Sequence, residues 1–207
     1  MMGGVTDPAP RKPPRSAMSV RDMIVAIGVL ALIVVVIGGL SRGCSFSPGG
    51  PTVDPGALPV VDAPAELRGL APDVPFSLRV PAVPPGWRSN AVDQDRLDPA
   101  DPAAGRAVRT GYLTPEGRYL RLVQSDGAEE AVLASETGAT VVPAQGTTDV
   151  GGLAFVVYGL PDEEPIWIAD LDGVRILITG SGAEADFRAL AGAVLAGEAL
   201  PAGTAPS

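Results

Sequence analysis

Carboxylates are the side chains of this sequence best equipped for chemistry, and they gather in two places. The first is "DQDRLDPAD" (Asp93–Asp101), which sets Asp93, Asp95 and Asp98 close together. A calcium loop takes oxygen ligands at alternate positions, with glycine sixth and glutamate twelfth. Here those two places hold Asp98 and Ala104, so the stretch reads as a solvated acidic loop. The second is "LPDEEP" (Leu160–Pro165), which groups Asp162, Glu163 and Glu164, with Asp170 shortly after. Two facing carboxylates suffice for glycoside hydrolysis, and that reaction needs no histidine. A wall hydrolase using such a pair is therefore one reading. The other is that both acidic loops are surfaces for a cationic partner, whose affinity would fall as salt screens the charges.

Other chemistries are narrowed by what is missing. The chain has no histidine, which removes His-based triads, most zinc sites and the usual general base at neutral pH. Its one cysteine, Cys44, cannot form an internal disulfide, so any exported domain must stand on its hydrophobic core. "TGSG" (Thr179–Gly182) before a helix looks like a phosphate cradle but lacks the lysine and the longer glycine pattern, and capping by Ser181 accounts for it. Trp87, after "PPG", reads as a lid on the open end of a core. No cofactor and no metal are expected.

The elements that must carry these residues follow from periodicity. "FSLRVP" (Phe76–Pro81), "RSNAVDQ" and "RAVRTGYL" read as strands, and "TPEG" (Thr114–Gly117) has proline second and glycine fourth, as a type I turn prefers. It joins "RAVRTGYL" to "RYLRLVQS" as a hairpin. Asp126 and Glu129 make a capping box for a helix over Gly127–Thr137, which Gly138 ends. "LAFVVYGL", "PIWIADL" and "VRILITG" are further strands, apolar on both faces, and Asp172-Gly173 is a strong hairpin signal. Ser181 and Glu184 form a second capping box. Phe187, Leu190, Ala191, Val194 and Leu195 then share one helical face. The order β-β-β-β-α-β-β-β-α with hairpin links predicts an α+β domain, an antiparallel sheet with about two packed helices.

Ahead of this domain stands an apolar run from Met23 to Leu40, eighteen residues without a charge, of which twelve are Ile, Val or Leu. Those twelve contribute about −4 to −7 kcal/mol to insertion, and the run is close to the ~30 Å hydrocarbon thickness. Arg11, Lys12, Arg15 and Arg21 precede it and only Arg42 follows closely. Positive charge stays inside, so a single-pass helix with a cytoplasmic N-terminus is expected. The flanking "SRGC" fits neither a signal-peptidase site nor a lipobox. The divisions are a cytoplasmic tail (1–22), a transmembrane helix (23–40), a Pro/Gly-rich linker (41–75) in which a short helix over Ala63–Leu70 docks on the domain, an extracytoplasmic α+β domain (76–200) and a disordered tail (201–207). Residues 1–42 carry a net charge of +3 and residues 43–207 one of −12. That acidity argues against nucleic acid as a partner, and none is expected.

"RDM" at 21–23, "PPGW" at 84–87, "GYLTPEGRYLRLVQSDG" at 111–127 and "DGVRILITGSG" with "FRALAGAVL" resemble an actinobacterial family of single-pass membrane proteins. That family is known as domain of unknown function 4245. The likeness covers most of residues 21–196 and implies an anchor and a fold, with no activity attached. The order of elements is also similar to the PsbP/Mog1 fold and to envelope lipoproteins of the LpqN type, a likeness of architecture alone. The sequence thus points to a membrane-anchored envelope module that binds a protein, glycan or lipid without catalysis, with the carboxylate-dependent hydrolase as the alternative.

Overall fold

The computed structural model describes residues 23–25, 27–30, 59–139, 141–159 and 164–203. The chain forms two compact units, Met1–Thr52 and Val53–Ser207. In the first, residues 23–25 and 27–30 are helical and exposed. The rest of the 23–40 run lies outside the described residues, and among the described residues no helix is long and apolar enough to cross a membrane.

The second unit is α+β and opens earlier than its proline-rich composition implies. Helix α1 (Ala63–Leu70) lies where the linker was expected to carry a short docking helix. Asp62 caps it by accepting the Ala65 N–H at 3.0 Å, and Pro64 sits in its first turn, where no amide partner is missing. Ala63, Leu67 and Ala71 are buried at helical spacing; Val74, Phe76, Leu78 and Val80 are then buried at alternate positions. The period switches from helix to strand within one stretch, and β1 (Leu78–Val80) follows directly. Residues 61–75 therefore belong to the packed domain, and of the expected linker residues 41–58 lie outside the described residues. Gly203 donates its N–H to the Val74 carbonyl at 2.8 Å, so the described part of the 201–207 tail is also pinned down.

Seven strands form the main sheet in the order β2-β3-β4-β8-β7-β6-β5, antiparallel throughout. They are β2 (Arg88–Arg96), β3 (Arg106–Leu113), β4 (Tyr119–Ser125), β5 (Ala144–Val150), β6 (Leu153–Tyr158), β7 (Ile166–Leu171) and β8 (Val174–Gly180). The two expected hairpins are present. Gly117 donates to the Thr114 carbonyl at 2.9 Å in the first. In the second, Asp172 and Gly173 both take positive φ, 55° and 83°, the pair of angles a two-residue turn between twisted strands demands. Two strands exceed the expectation. β5 reads as loop because "AQGTTDV" has one large apolar residue, and β9 (Glu198–Leu200) is only three residues long.

Alternation along the strands splits the core in two. Leu120, Leu122, Phe155, Trp167, Ile176 and Ile178 face α1, β1, β9 and helix α3 (Glu184–Ala196). Ala107, Val123, Ile166, Ile168 and Leu177 face helix α2 (Glu129–Thr137). Covering both faces explains why the central strands are apolar at successive positions. β1 pairs only with β9, and the fully buried Gln124 replaces the missing strand on its other side. Its amide accepts the Arg79 N–H at 2.7 Å and donates to the Arg79 carbonyl at 2.9 Å.

Both outer strands of the sheet are blunted against further pairing. β2 is bulged between Ser89 and Ala91, bridged by Val61, and charged at Asp93, Asp95 and Arg96. β5 is bulged between Ala144 and Gly146, and Arg188 of α3 donates to its Asp149 carbonyl at 3.0 Å.

Helix ends depart from expectation in an instructive way. α2 begins at Glu129 with Ala128 at its N-cap, and no side chain caps it; Asp126 instead accepts the Arg106 N–H at 2.7 Å. Gly138 does close it, in the left-handed conformation at φ 68°. α3 begins at Glu184, so Ser181 is too far ahead to cap it. Asp186, in the first turn, does that work by accepting the Ala183 N–H at 2.8 Å.

Candidate functional site

Among the described residues the acidic candidates serve separate local contacts. Asp93 and Asp95 are exposed on strand β2 rather than in a loop, because β2 runs on to Arg96. Asp98 does lie in the loop beyond, exposed, and accepts the Ala100 N–H at 2.8 Å. Asp95 accepts the N–H of the next residue, Arg96, at 2.7 Å, so two of the three are engaged by their own chain neighbours. Asp162 and Glu163 lie outside the described residues, and Glu164 is exposed. Asp170 accepts the Gly173 N–H at 3.0 Å and pairs with Arg175 across the hairpin. Asp170 stands four steps beyond Ile166 along β7, about 13 Å of extended chain, and Glu164 precedes the strand. Among the described residues no three Asp, Glu or Cys side chains gather as a metal site.

Two hollows are lined by aromatic residues instead. The first, of about 230 Å³, lies between α1 and the start of β2, walled by Val60, Leu67, Val80, Trp87 and Tyr112. Trp87 is half-buried against the core, as a lid would be, and its backbone N–H closes the "PPG" turn on the Pro84 carbonyl at 3.2 Å. Burial pushes the Tyr112 phenol well above its ordinary range.

The second hollow is a groove of about 410 Å³ where α3 begins beside the sheet's outer strands. Thr147 and Thr148 of β5 and Glu184 of α3 bring polar groups to it; Val157, Pro165, Trp167 and Phe187 supply apolar wall. Trp167 sits between Phe155 and Phe187, with ring centroids 6.1 and 5.3 Å away, and is itself buried. Arg188 stands over the indole at 5.7 Å. Its guanidinium donates to Glu184 at 2.9 Å, to Thr148 Oγ1 at 2.7 Å and to the Asp149 carbonyl at 3.0 Å. None of these residues is a motif in the sequence. Only the i, i+4 pair Glu184–Arg188 could have drawn attention to the place.

Two carboxylates the sequence reading passed over are the buried ones. Asp186 is held by Arg118 through contacts of 2.7 and 3.2 Å, tying the "TPEG" hairpin to α3. Glu136 is held by Arg109 at 2.7 Å and Arg121 at 3.0 Å. Ser181 accepts the Tyr119 N–H at 3.1 Å, which gives the "TGSG" stretch a structural task.

One ionisable contact makes a pH prediction. The Tyr158 hydroxyl donates to Glu129 at 2.6 Å, and that hydrogen bond, with burial and the nearby carboxylate charge, pushes its pKa up to about 12. A raised phenol pKa means the neutral form is favoured in the fold. Its contribution is therefore complete below about pH 10 and lost as pH rises towards 12. Tyr158→Phe should remove one late phenolate step from an ultraviolet titration of the native protein. A Tyr158 that titrates at an ordinary tyrosine pH would contradict the contact.

No curated protein and no solved structure matches the chain. A family model does: residues 15–194 match the family described as "Protein of unknown function (DUF4245)", and the chain belongs to that family.

Proposed function

We propose that this chain is a membrane-anchored, extracytoplasmic binding module of an actinobacterial cell envelope, and that it acts without catalysing a reaction. Residues 23–40 hold it, with the basic tail inside and the acidic domain outside. The observation that carries the binding role is the groove of about 410 Å³, within the size range of ligand pockets and lined by apolar residues with a few polar groups. The buried carboxylates Glu136 and Asp186 are each engaged by arginine, which leaves them poor candidates for acid–base work. A PsbP/Mog1-type architecture is in keeping with the sheet covered by helices, and that fold carries no activity of its own. The net charge of −12 over residues 43–207 speaks against nucleic acid.

Topology and partnership are tested together. A reporter fused to the C-terminus and active only outside the membrane should be active on an uncut chain. Proximity labelling from that terminus in the native host should then mark envelope components. A mature N-terminus at Cys44, or turnover of wall glycan by the purified protein, would overturn the reading.

A further inference from the structure

We infer that the hollow between α1 and the start of β2 is a binding site for an uncharged acyl ester, whose carbonyl oxygen accepts a hydrogen bond from the Tyr112 hydroxyl. The site stands apart from the groove beside α3 and does not depend on it. Six apolar residues wall it: Val60, Leu67, Val80, Pro81, Val83 and Trp87. Three polar residues along it are already in use. Ser89 Oγ donates to the Val61 carbonyl at 2.5 Å and accepts the Ala63 N–H at 3.4 Å. Asp62 caps α1, and Arg88 is engaged as well.

Tyr112 is different. It lines the hollow and is 2% exposed, yet its hydroxyl donates to no described residue. Beside it on the same face of β3 is the Thr110 hydroxyl, 1% exposed and lacking a hydrogen-bond partner. Burial raises the Tyr112 pKa, with Thr110 offsetting this only in part, so the phenol stays a neutral donor. Buried hydroxyls without partners are rare in a fold, and a ligand that brings an acceptor accounts for these two.

Size and chemistry narrow the occupant. An apolar cavity of about 150 Å³ takes up benzene, so about 230 Å³ seats roughly nine non-hydrogen atoms. Water is a poor filling, because each molecule needs about two to four polar partners and the walls add none to the two hydroxyls. A carboxylate or an ammonium would give up its hydration against those walls for one neutral hydroxyl. A plain alkane would cover the walls and leave the phenol unpaired. An acyl ester meets both needs: its methylenes cover Leu67, Val80 and Val83, and its carbonyl accepts from Tyr112.

The test uses the full-length protein in a bile-salt detergent, which has no alkyl chain to compete. The chain has two tryptophans, so the indole N–H of Trp87 reports on this hollow and that of Trp167 is the control. Methyl octanoate should shift Trp87 saturably, leave Trp167 in place, and bind at least fivefold tighter than octane or, at pH 8, octanoate. Tyr112→Phe should keep the melting temperature and make ester and octane bind alike. Val83→Phe, which fills the hollow from a partly buried position, should abolish the saturable shift. A Trp87 signal that no probe moves, or an ester preference that survives Tyr112→Phe, overturns the assignment. Dioctanoylglycerol that competes with the methyl ester would trace the acyl group to a membrane lipid, and failure to compete would trace it to a free ester.

Discussion

Phe187→Ala should destabilise the domain by about 3–5 kcal/mol, the range for truncating a buried aromatic residue. The side chain is 1% exposed and packs on Trp167, 5.3 Å between centroids, at the point where α3 meets the sheet. Such a loss is a large share of the ~5–15 kcal/mol that a domain has in total. Phe187→Leu should cost clearly less, because it keeps most of the buried volume and forfeits mainly the ring contact, about 0.5–1.5 kcal/mol. Glu184→Ala on the same helix is exposed and should stay within about 0.5 kcal/mol. Denaturant unfolding of the three variants checks the order. Equal losses for Phe187→Ala and Glu184→Ala would mean that α3 does not pack as described.

That α3 was legible in the sequence at all follows from its pattern: Phe187, Leu190, Ala191 and Val194 repeat at helical spacing, and all four are buried. The hairpins were legible for a different reason. "TPEG" and Asp172-Gly173 are local signals whose backbone angles depend on the residues themselves. β5 has neither advantage. Its residues are mostly exposed and it exists because β6 supplies a ladder, a tertiary fact invisible in "AQGTTDV". The α1 helix was legible as a short docking helix over Ala63–Leu70, but the segments around it erred the opposite way. Proline and glycine around it read as linker, while Leu67 and Val74 are completely buried.

The functional reading shows the same division. Clustered carboxylates are conspicuous in one dimension, yet Asp93 and Asp95 sit on an outer strand and Asp170 serves a hairpin. The groove is assembled from β5, β6, β7 and α3, four elements with no shared motif, so only the fold brings Thr147 to Glu184. Where sequence did carry a signal, it was an oddity. An acid in the last turn of a helix faces the negative end of the helix dipole, and Glu136 is in that position in α2.

Glu136→Ala should therefore be the most damaging polar substitution, at about 3–5 kcal/mol. The Glu136 side chain is 2% exposed and bridges Arg109 and Arg121, which reach it from neighbouring strands. Removing the carboxylate affects the two arginines unequally. The Arg109 side chain is 15% exposed and keeps only a 3.3 Å contact to Ser135, so its charge is stranded in a poorly hydrated site. The Arg121 side chain is 41% exposed and can turn to water or keep its contact with the Tyr119 hydroxyl. Arg121→Ala should accordingly cost about 1 kcal/mol or less, as exposed pairs do. The cost of Glu136→Ala is mostly that of an orphaned charge and not the net worth of the bridge. Replacing both partners, Arg109→Met with Glu136→Leu, should thus recover most of the loss, because well-packed apolar groups of similar volume often match a buried ion pair. Urea unfolding of the two single variants and the double one decides it. If the double variant were as unstable as Glu136→Ala alone, the bridge itself, and not the stranded Arg109, would be what α2 depends on.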